Sequence, residues 1–150
     1  MRASNPDYAD KVRRLFVGAP FLEELGIEAG DIGEGFCESR LVLARKHLQQ
    51  DGFVHAGVVA TIADHTAGGA AGTLVDADRT VLTIEFKINL LRPARGESMR
   101  CRAAVLRPGR TISVVESEVF TRSGERETLV AKAMVTLAVV DANVGARTGA

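Results

Sequence analysis

The sequence predicts an α+β fold in which one antiparallel sheet wraps one long central helix. Three observations support this prediction. Residues 55–74 form a run of small residues with the length of a helix. Two short alternating segments precede this run, and four longer alternating segments follow it, separated by turn residues. Strands on either side of one apolar helix are typical of a single sheet packed on that helix.

The chain before the central helix contains two short helical segments and a strand pair. Residues 5–17 have apolar side chains at helical spacing, and a further helical turn is expected at 19–25. Segments 26–33 and 35–43 then alternate between apolar and polar residues, which predicts two strands joined by a hairpin. Residues 44–54 are polar and contain Asp51-Gly52, so we expect a loop there with an exposed His47.

The chain after the central helix is expected to form four strands, at 80–91, 97–107, 111–121 and 128–140. Their short links predict that consecutive strands are neighbours in an antiparallel meander. Alternation in the first strand predicts one apolar face, which consists of Leu82, Ile84, Phe86, Ile88 and Leu90. The predicted organisation is an N-terminal helix (1–18), one domain (19–140) and a flexible tail (141–150).

Composition excludes several classes of protein. Lys plus Arg and Asp plus Glu each number 19, and this zero net charge argues against a nucleic-acid partner. The sequence has no uninterrupted apolar run of about 18 residues and no signal-peptide pattern, so we expect no membrane partner and a cytoplasmic location. Cys37 and Cys101 lack CxxC spacing, which predicts buried thiols rather than a disulfide or a metal site.

The central helix carries an unusual number of glycines. Four fall within 55–74, and each costs about 1 kcal/mol of helix stability relative to alanine. Such a helix needs close approach of backbone or ligand as compensation. A helical rotation of 100° per residue predicts one face of small residues around a single carboxylate, which consists of Gly57, Ala60, Thr61, Asp64, Gly68 and Ala71.

The start of this helix combines polar side chains with free backbone donors. His55 and Asp64 are nine residues apart, so inside one straight helix they would lie on opposite sides. We therefore expect His55 at or before the first turn. The unpaired N–H groups near Ala56 and Gly57, together with the helix dipole, can then stabilise a negatively charged oxygen.

Two motifs carry a resemblance to a known family. Gly52-x-x-His55-Ala56-Gly57, followed by Asp64, resembles the GxxHGGxxxxxxD signature of hotdog-fold thioesterases of the PaaI-like type. Residues 84–93 (IEFKINLLRP) are similar to the strand that follows in that family. The segments QQDGFVHAGV and ADHTAG resemble a subgroup associated with medium- and long-chain acyl-CoA thioesterase activity.

The resemblance implies a role for each site residue. Asp64 would be the general base or the nucleophile, and the N–H of Ala56 or Gly57 would bind the thioester oxygen. Gln49, where the family has Asn, would orient water or the carbonyl. Thr83 would complete the site from a neighbouring subunit, and His55 would shape the loop. Ala56 departs from the first glycine of the signature, which matters if this position needs a positive φ.

The sequence thus predicts hydrolysis of a medium-chain, long-chain or aryl acyl-CoA without a metal or redox cofactor. A homodimer or a dimer-of-dimers homotetramer is expected. Four arginines in two turns are candidates for binding the CoA phosphates: Arg92, Arg95, Arg107 and Arg110. The alternatives are a hotdog 3-hydroxyacyl-CoA dehydratase or hydratase, and a non-catalytic acyl-CoA-binding module. The acyl chain length stays open.

Overall fold

The computed structural model describes residues 1–143. The helices in this part of the chain are α1 (Tyr8–Val17), α2 (Pro20–Leu25), a 3₁₀ turn (Arg45–His47) and α3 (Ala56–Gly72). The strands are β1 (Ile27–Gly33), β2 (Phe36–Val42), β3 (Arg79–Leu90), β4 (Ser98–Arg107), β5 (Ile112–Ser123) and β6 (Arg126–Asp141). They form one antiparallel sheet in the order β1-β2-β4-β5-β6-β3, with α3 packed against it. This is the predicted hotdog fold.

The N-terminal helix belongs to the same core as the sheet. Val12 and Phe16 of α1 are buried and pack against the apolar residues of α3. At the other end of the chain, Asp141 is the last residue of β6, and its carboxylate pairs with Arg79 of β3. Residue 141, where the flexible tail was predicted to begin, thus belongs to β6, and residues 144–150 of the predicted tail lie outside the described part of the chain.

The strand order corrects the predicted meander. Of the four strands after α3, β4, β5 and β6 follow one another as neighbours, whereas β3 pairs with β6 at the sheet edge and β4 pairs with β2. The link 91–97 therefore passes two strands, a lateral distance of about 14 Å that seven extended residues can span. The backbone of Gly96 lies so close to β5 that a Cβ there would be 2.4 Å from the carbonyl oxygen of Arg122.

A β-bulge corrects the predicted faces of β3. Thr83 pairs with Leu137, but Glu85 pairs with Thr136, so Ile84 is an extra residue in the ladder. Alternation is inverted at this point. Thr83 therefore shares the helix-facing side of the sheet with Phe86, whereas Leu82 lies on the outer side. The prediction from uninterrupted alternation, with five apolar residues on one face and Thr83 on the other, is therefore wrong.

His47 is buried rather than exposed. Its relative exposure is 1%, and both ring nitrogens are hydrogen-bonded. Nδ1 accepts a bond from the backbone N–H of Ala44 (2.9 Å), and Nε2 lies 2.7 Å from the carbonyl oxygen of Leu25. The sequence of the loop is polar, but these two backbone partners allow an imidazole to be buried at little cost.

The glycines of α3 are explained by different neighbours. A Cβ at Gly69 would lie 2.8 Å from Cys37 Sγ and 3.2 Å from the Phe16 ring, so the absence of a side chain allows β2 and α1 to approach α3. Cys37 and Cys101 are buried free thiols, as predicted, and burial raises the pKa of each to about 12. Gly68, by contrast, has only Leu137 Cδ2 near its Cβ position, at 3.9 Å.

Gly68→Ala and Gly69→Ala should change stability in opposite directions. Both replacements gain about 1 kcal/mol of helix propensity. Only the methyl group at position 69 enters occupied space, and overpacking costs about 1–3 kcal/mol. Urea unfolding of the two variants measures the difference. A Gly69→Ala protein that is as stable as Gly68→Ala would contradict this account of the packing.

Candidate active site

The accessible side of α3 carries the predicted carboxylate. Most of the helix is buried, including Val58, Val59, Ile62 and Thr66. Five residues of the predicted small-residue face keep solvent access, namely Gly57, Ala60, Thr61, Asp64 and Gly68, and Ala56 and His65 are accessible beside them. Ala71 was predicted to lie on this face but is buried, at 1% exposure. α3 is thus enclosed on one side and open along a narrow stripe on the other.

Asp64 is held by a residue of the adjacent strand. Thr83 Oγ1 donates a hydrogen bond to Asp64 Oδ1 (2.8 Å) within the same chain. Within one protomer, the bulge at Ile84 turns this hydroxyl toward α3 of its own chain. The contribution of Thr83 to a site shared with a neighbouring subunit stays a prediction. The second oxygen, Oδ2, has no hydrogen-bond partner within residues 1–143. It is the carboxylate atom that is available for chemistry.

A cavity of about 210 Å³ opens beside Asp64. Apart from Thr83 and His65 its neighbours are mainly apolar or small, with Leu15, Val81 and Leu137 among them. His65 contacts the Phe16 ring edge-on at a centroid distance of 4.7 Å. Burial lowers the pKa of His65, while the charge of Asp64 opposes this shift. His65 is therefore a packing residue that favours its neutral form.

The pKa of His65 predicts loss of stability in acid. The folded chain holds His65 neutral, whereas the unfolded chain takes up a proton near the ordinary value of 6.5. Lowering the pH below about 6.5 therefore favours unfolding, with a slope of up to about 1.4 kcal/mol per pH unit from this group. Urea unfolding between pH 7.5 and 5 should show a shallower decline for His65→Asn than for the wild type. Equal pH slopes would contradict the prediction.

The start of α3 offers one free backbone donor. His55 is the N-cap, with an extended backbone (φ −61°, ψ 137°), and its Nδ1 accepts the N–H of Gly57 at 2.9 Å. The N–H of Ala56, in contrast, has no acceptor within the described residues. The structure thus distinguishes the two candidates for the oxygen-binding donor. No non-glycine residue among those described has a positive φ, so Ala56 replaces glycine without strain.

A second and larger cavity, of about 550 Å³, lies at this helix start. Its walls include Gln49, His55 and Ala56, together with apolar residues such as Leu90 and Phe53. Gln49 Oε1 accepts the backbone N–H of Asp51, which fixes the side chain in the turn. Its Nε2 is left without a partner among residues 1–143. The polar groups of the predicted motif therefore line one wall of an otherwise apolar pocket.

The four candidate arginines lie in two separate places. Arg92 lines the larger cavity, and Arg95 stacks over the ring of Phe53 at 3.8 Å. Arg110 lines a different cavity, of about 300 Å³, next to the chain that leaves the C-terminal end of α3, and Arg107 is exposed at the end of β4 that precedes this link. The two ends of α3 are about 24 Å apart. One protomer therefore does not combine these arginines in one site.

The helix also separates the carboxylate from the free donor. Eight residues separate Ala56 from Asp64, which corresponds to about 12 Å along the axis. A carbonyl oxygen bound to the Ala56 N–H is thus out of reach of Asp64 in the same protomer. His55 is the N-cap of the helix, as predicted, and it makes no hydrogen bond with Asp64.

Comparison with known proteins identifies the family. A profile of the thioesterase superfamily matches residues 51–128, which span the helix start, α3 and most of the sheet. The chain belongs to the thioesterase superfamily. A crystal structure of a thioesterase family protein from Silicibacter pomeroyi is 37% identical, with a TM-score of 0.87, and the match covers 89% of this chain and 98% of that one.

Two further proteins are similar to this thioesterase. A thioesterase from Haemophilus influenzae is 26% identical, with a TM-score of 0.77 over 88% of this chain and 90% of that one. The 1,4-dihydroxy-2-naphthoyl-CoA hydrolase of Listeria monocytogenes is 26% identical over 117 residues, 78% of this chain and 93% of the relative. The chain is therefore a thioester hydrolase, and neither the dehydratase nor the non-catalytic alternative is favoured.

Sequence reasoning missed several residues of the thioesterase site. Leu15, His65 and Gly68 line the cavity beside Asp64, and Phe53 and Leu90 line the cavity at the helix start. Helical spacing did place Gly68, one turn further along α3, on the same face as Asp64, but it did not indicate a cavity there. Nothing in the pattern of α1 distinguishes Leu15 from an ordinary core residue. Among the described residues, no helix has the length and apolarity needed to cross a membrane.

Proposed function

We propose that this thioesterase hydrolyses acyl-CoA, with a medium-chain or aryl acyl group, at a site formed by two copies of the chain. The distance of about 12 Å between Asp64 and the Ala56 N–H is the observation that supports it most directly. A second protomer supplies the missing half if its α3 runs antiparallel to the first. Asp64 of one protomer then faces the partner's Ala56, and the two-fold axis generates two equal sites.

The edge of the sheet supports this association. In the described part of the chain β3 pairs only with β6, so its other edge leaves backbone groups available for pairing. Within residues 1–143, five of the thirteen exposed large hydrophobic side chains fall at 82–91: Leu82, Ile84, Phe86, Leu90 and Leu91. The stripe of small residues on α3 borders this strand through the contact between Asp64 and Thr83. A two-fold contact along β3 would cover both features.

The proposed reaction uses groups of the protein and no metal or redox cofactor. Asp64 Oδ2 takes a proton from water as the water oxygen adds to the thioester carbon. The partner's Ala56 N–H and its helix dipole stabilise the negative oxygen of the tetrahedral intermediate. The carbon–sulfur bond then breaks, the proton passes from Asp64 to the CoA thiolate, and the free acid leaves. Direct attack by Asp64, through an anhydride that water then hydrolyses, is the other route open to this carboxylate.

The position of CoA follows from the cavity at the helix start. That cavity adjoins Ala56 and carries Arg92 on its wall, with Arg95 next to it on Phe53. We therefore assign Arg92 and Arg95, rather than Arg107 and Arg110, to the CoA phosphates. The guanidinium group suits phosphate oxygens, and the apolar wall suits the pantetheine arm.

Asp64→Asn should abolish hydrolysis while the fold is retained. An asparagine can still accept the Thr83 hydrogen bond, but it cannot take a proton, so kcat should fall at least about 100-fold. Thr83→Val removes only the hydroxyl and should lower kcat about 10-fold. Release of free CoA thiol from octanoyl-CoA and benzoyl-CoA measures both effects. The exposed Asp31→Asn is the matched control and should be fully active. Retained activity in Asp64→Asn would overturn the role of Asp64.

Mixing two inactive variants tests the shared site. Proline is tolerated at the first residue of a helix and lacks an N–H, and His55 already has the extended backbone that precedes proline. Ala56→Pro should therefore remove the oxygen-binding donor without breaking α3. Co-refolded with Asp64→Asn, it gives mixed dimers with one intact site, so activity should return to about a quarter of the wild-type value. A mixture as inactive as its components would place the site within one protomer.

A further inference from the structure

The cavity beside Asp64 has both polar and apolar lining. Asp64 and Thr83, joined by their hydrogen bond, are among its polar residues. Val81 and Leu137 from the sheet and Leu15 from α1 are among its apolar residues. A thioester carbon next to Asp64 Oδ2 can therefore direct its acyl group into this cavity. Burial in the cavity is favoured, by about 0.8 kcal/mol for each methylene removed from water.

Gly68 keeps space open in this cavity. It lies one helical turn beyond Asp64 on the accessible stripe of α3, and it lines the cavity. Unlike Gly69, it is not required by close packing, because a Cβ at Gly68 would meet only Leu137 Cδ2, at 3.9 Å. The glycine still weakens the helix by about 1 kcal/mol relative to alanine. The missing side chain leaves space in the cavity, and this space compensates for the weaker helix.

Leu15 lines the same cavity from α1. It is half-buried and also lies close to the backbone of α3 at Gly72. The cavity that Leu15 and Gly68 both line has a volume of about 210 Å³. At about 30 Å³ for a group the size of a water molecule, it holds about seven such groups. This matches an acyl group of six to eight carbons or a single aromatic ring.

We infer that Gly68 and Leu15 determine the length of the acyl group that this enzyme accepts. The inference depends on the proposed function, in which Asp64 attacks or activates water at the thioester. Gly68 sets the depth of the cavity from the side of α3, and Leu15 sets it from the side of α1. Both are specificity-determining residues, and neither takes part in proton transfer.

Opposite changes in cavity size test this inference. The kcat/KM values of the wild type, Gly68→Ala, Gly68→Val and Leu15→Ala are measured on straight-chain acyl-CoAs from C2 to C16. Filling the cavity at position 68 should lower kcat/KM for octanoyl-CoA by about 10-fold or more and leave butanoyl-CoA nearly unchanged. Enlarging the cavity with Leu15→Ala should raise kcat/KM for dodecanoyl-CoA relative to kcat/KM for octanoyl-CoA.

Two controls repeat the chemical changes away from the cavity. Gly33→Ala adds a methyl group on β1, where its nearest neighbour is Phe36 at 3.8 Å, and Leu25→Ala shortens a half-buried leucine of α2. Both should keep the wild-type chain-length profile. A wild type that hydrolyses no acyl-CoA overturns the proposed function and this inference together. Hydrolysis by the wild type with coincident profiles for all variants overturns the inference alone.

Discussion

The one-sided burial of α3 is the constraint on which both the fold and the site depend. A helix of alanines, glycines and short β-branched residues is thin enough for a single curved sheet to enclose much of it. Val59, Ile62 and Ala67 show almost no exposure, and the apolar area they remove from water stabilises the arrangement. The sheet ends at β3, so the remaining stripe of the helix stays open at that edge. Asp64 lies where the enclosure stops.

Three buried hydroxyl groups fix the rotation of the helix within the sheet. Ser117 Oγ of β5 donates to the carbonyl oxygen of Ala63 (2.8 Å), and Thr66 Oγ1 donates to that of Ile62 (2.5 Å). Ser39 of β2 lies 2.5 Å from Thr66 Oγ1. Each of these groups would be costly to bury without its partner. Because they anchor the turn that immediately precedes Asp64, they also determine that its carboxylate points toward β3.

Much of the fold could be predicted from local patterns, since helix and strand periods are properties of neighbouring residues. The central helix, its small-residue face, the capping position of His55 and the six strands are of this kind. Strand order was not predictable in the same way, because link length limits how far a strand can move but does not select its neighbour. The burial of His47 depends on the backbone amide of Ala44 and the carbonyl oxygen of Leu25, which only the folded chain brings to the ring.

The site shows the same division between local and distant information. The motif around His55 and Ala56 identified the helix start, and the family resemblance identified Asp64. The sequence does not reveal that His55 occupies the Gly57 N–H and leaves that of Ala56 free. It also does not reveal the contribution of Leu15, which reaches the cavity through the packing of α1 on α3. These features arise from contacts across the fold, which residue spacing does not encode.

The bulge at Ile84 makes the number of residues in β3 a chemical property of the strand. Thr83 meets Asp64, and Phe86 and Ile88 face the same side of the sheet, only because one extra residue lies between the two parts. Deleting Ile84 would leave the other side chains of β3 unchanged, yet those on one side of the deletion would move to the opposite face of the sheet. Substitutions along β3 can be absorbed one at a time, whereas an insertion or deletion would exchange the hydroxyl partner of the carboxylate for an outward-facing neighbour. The length of this edge strand is thus under tighter constraint than its composition.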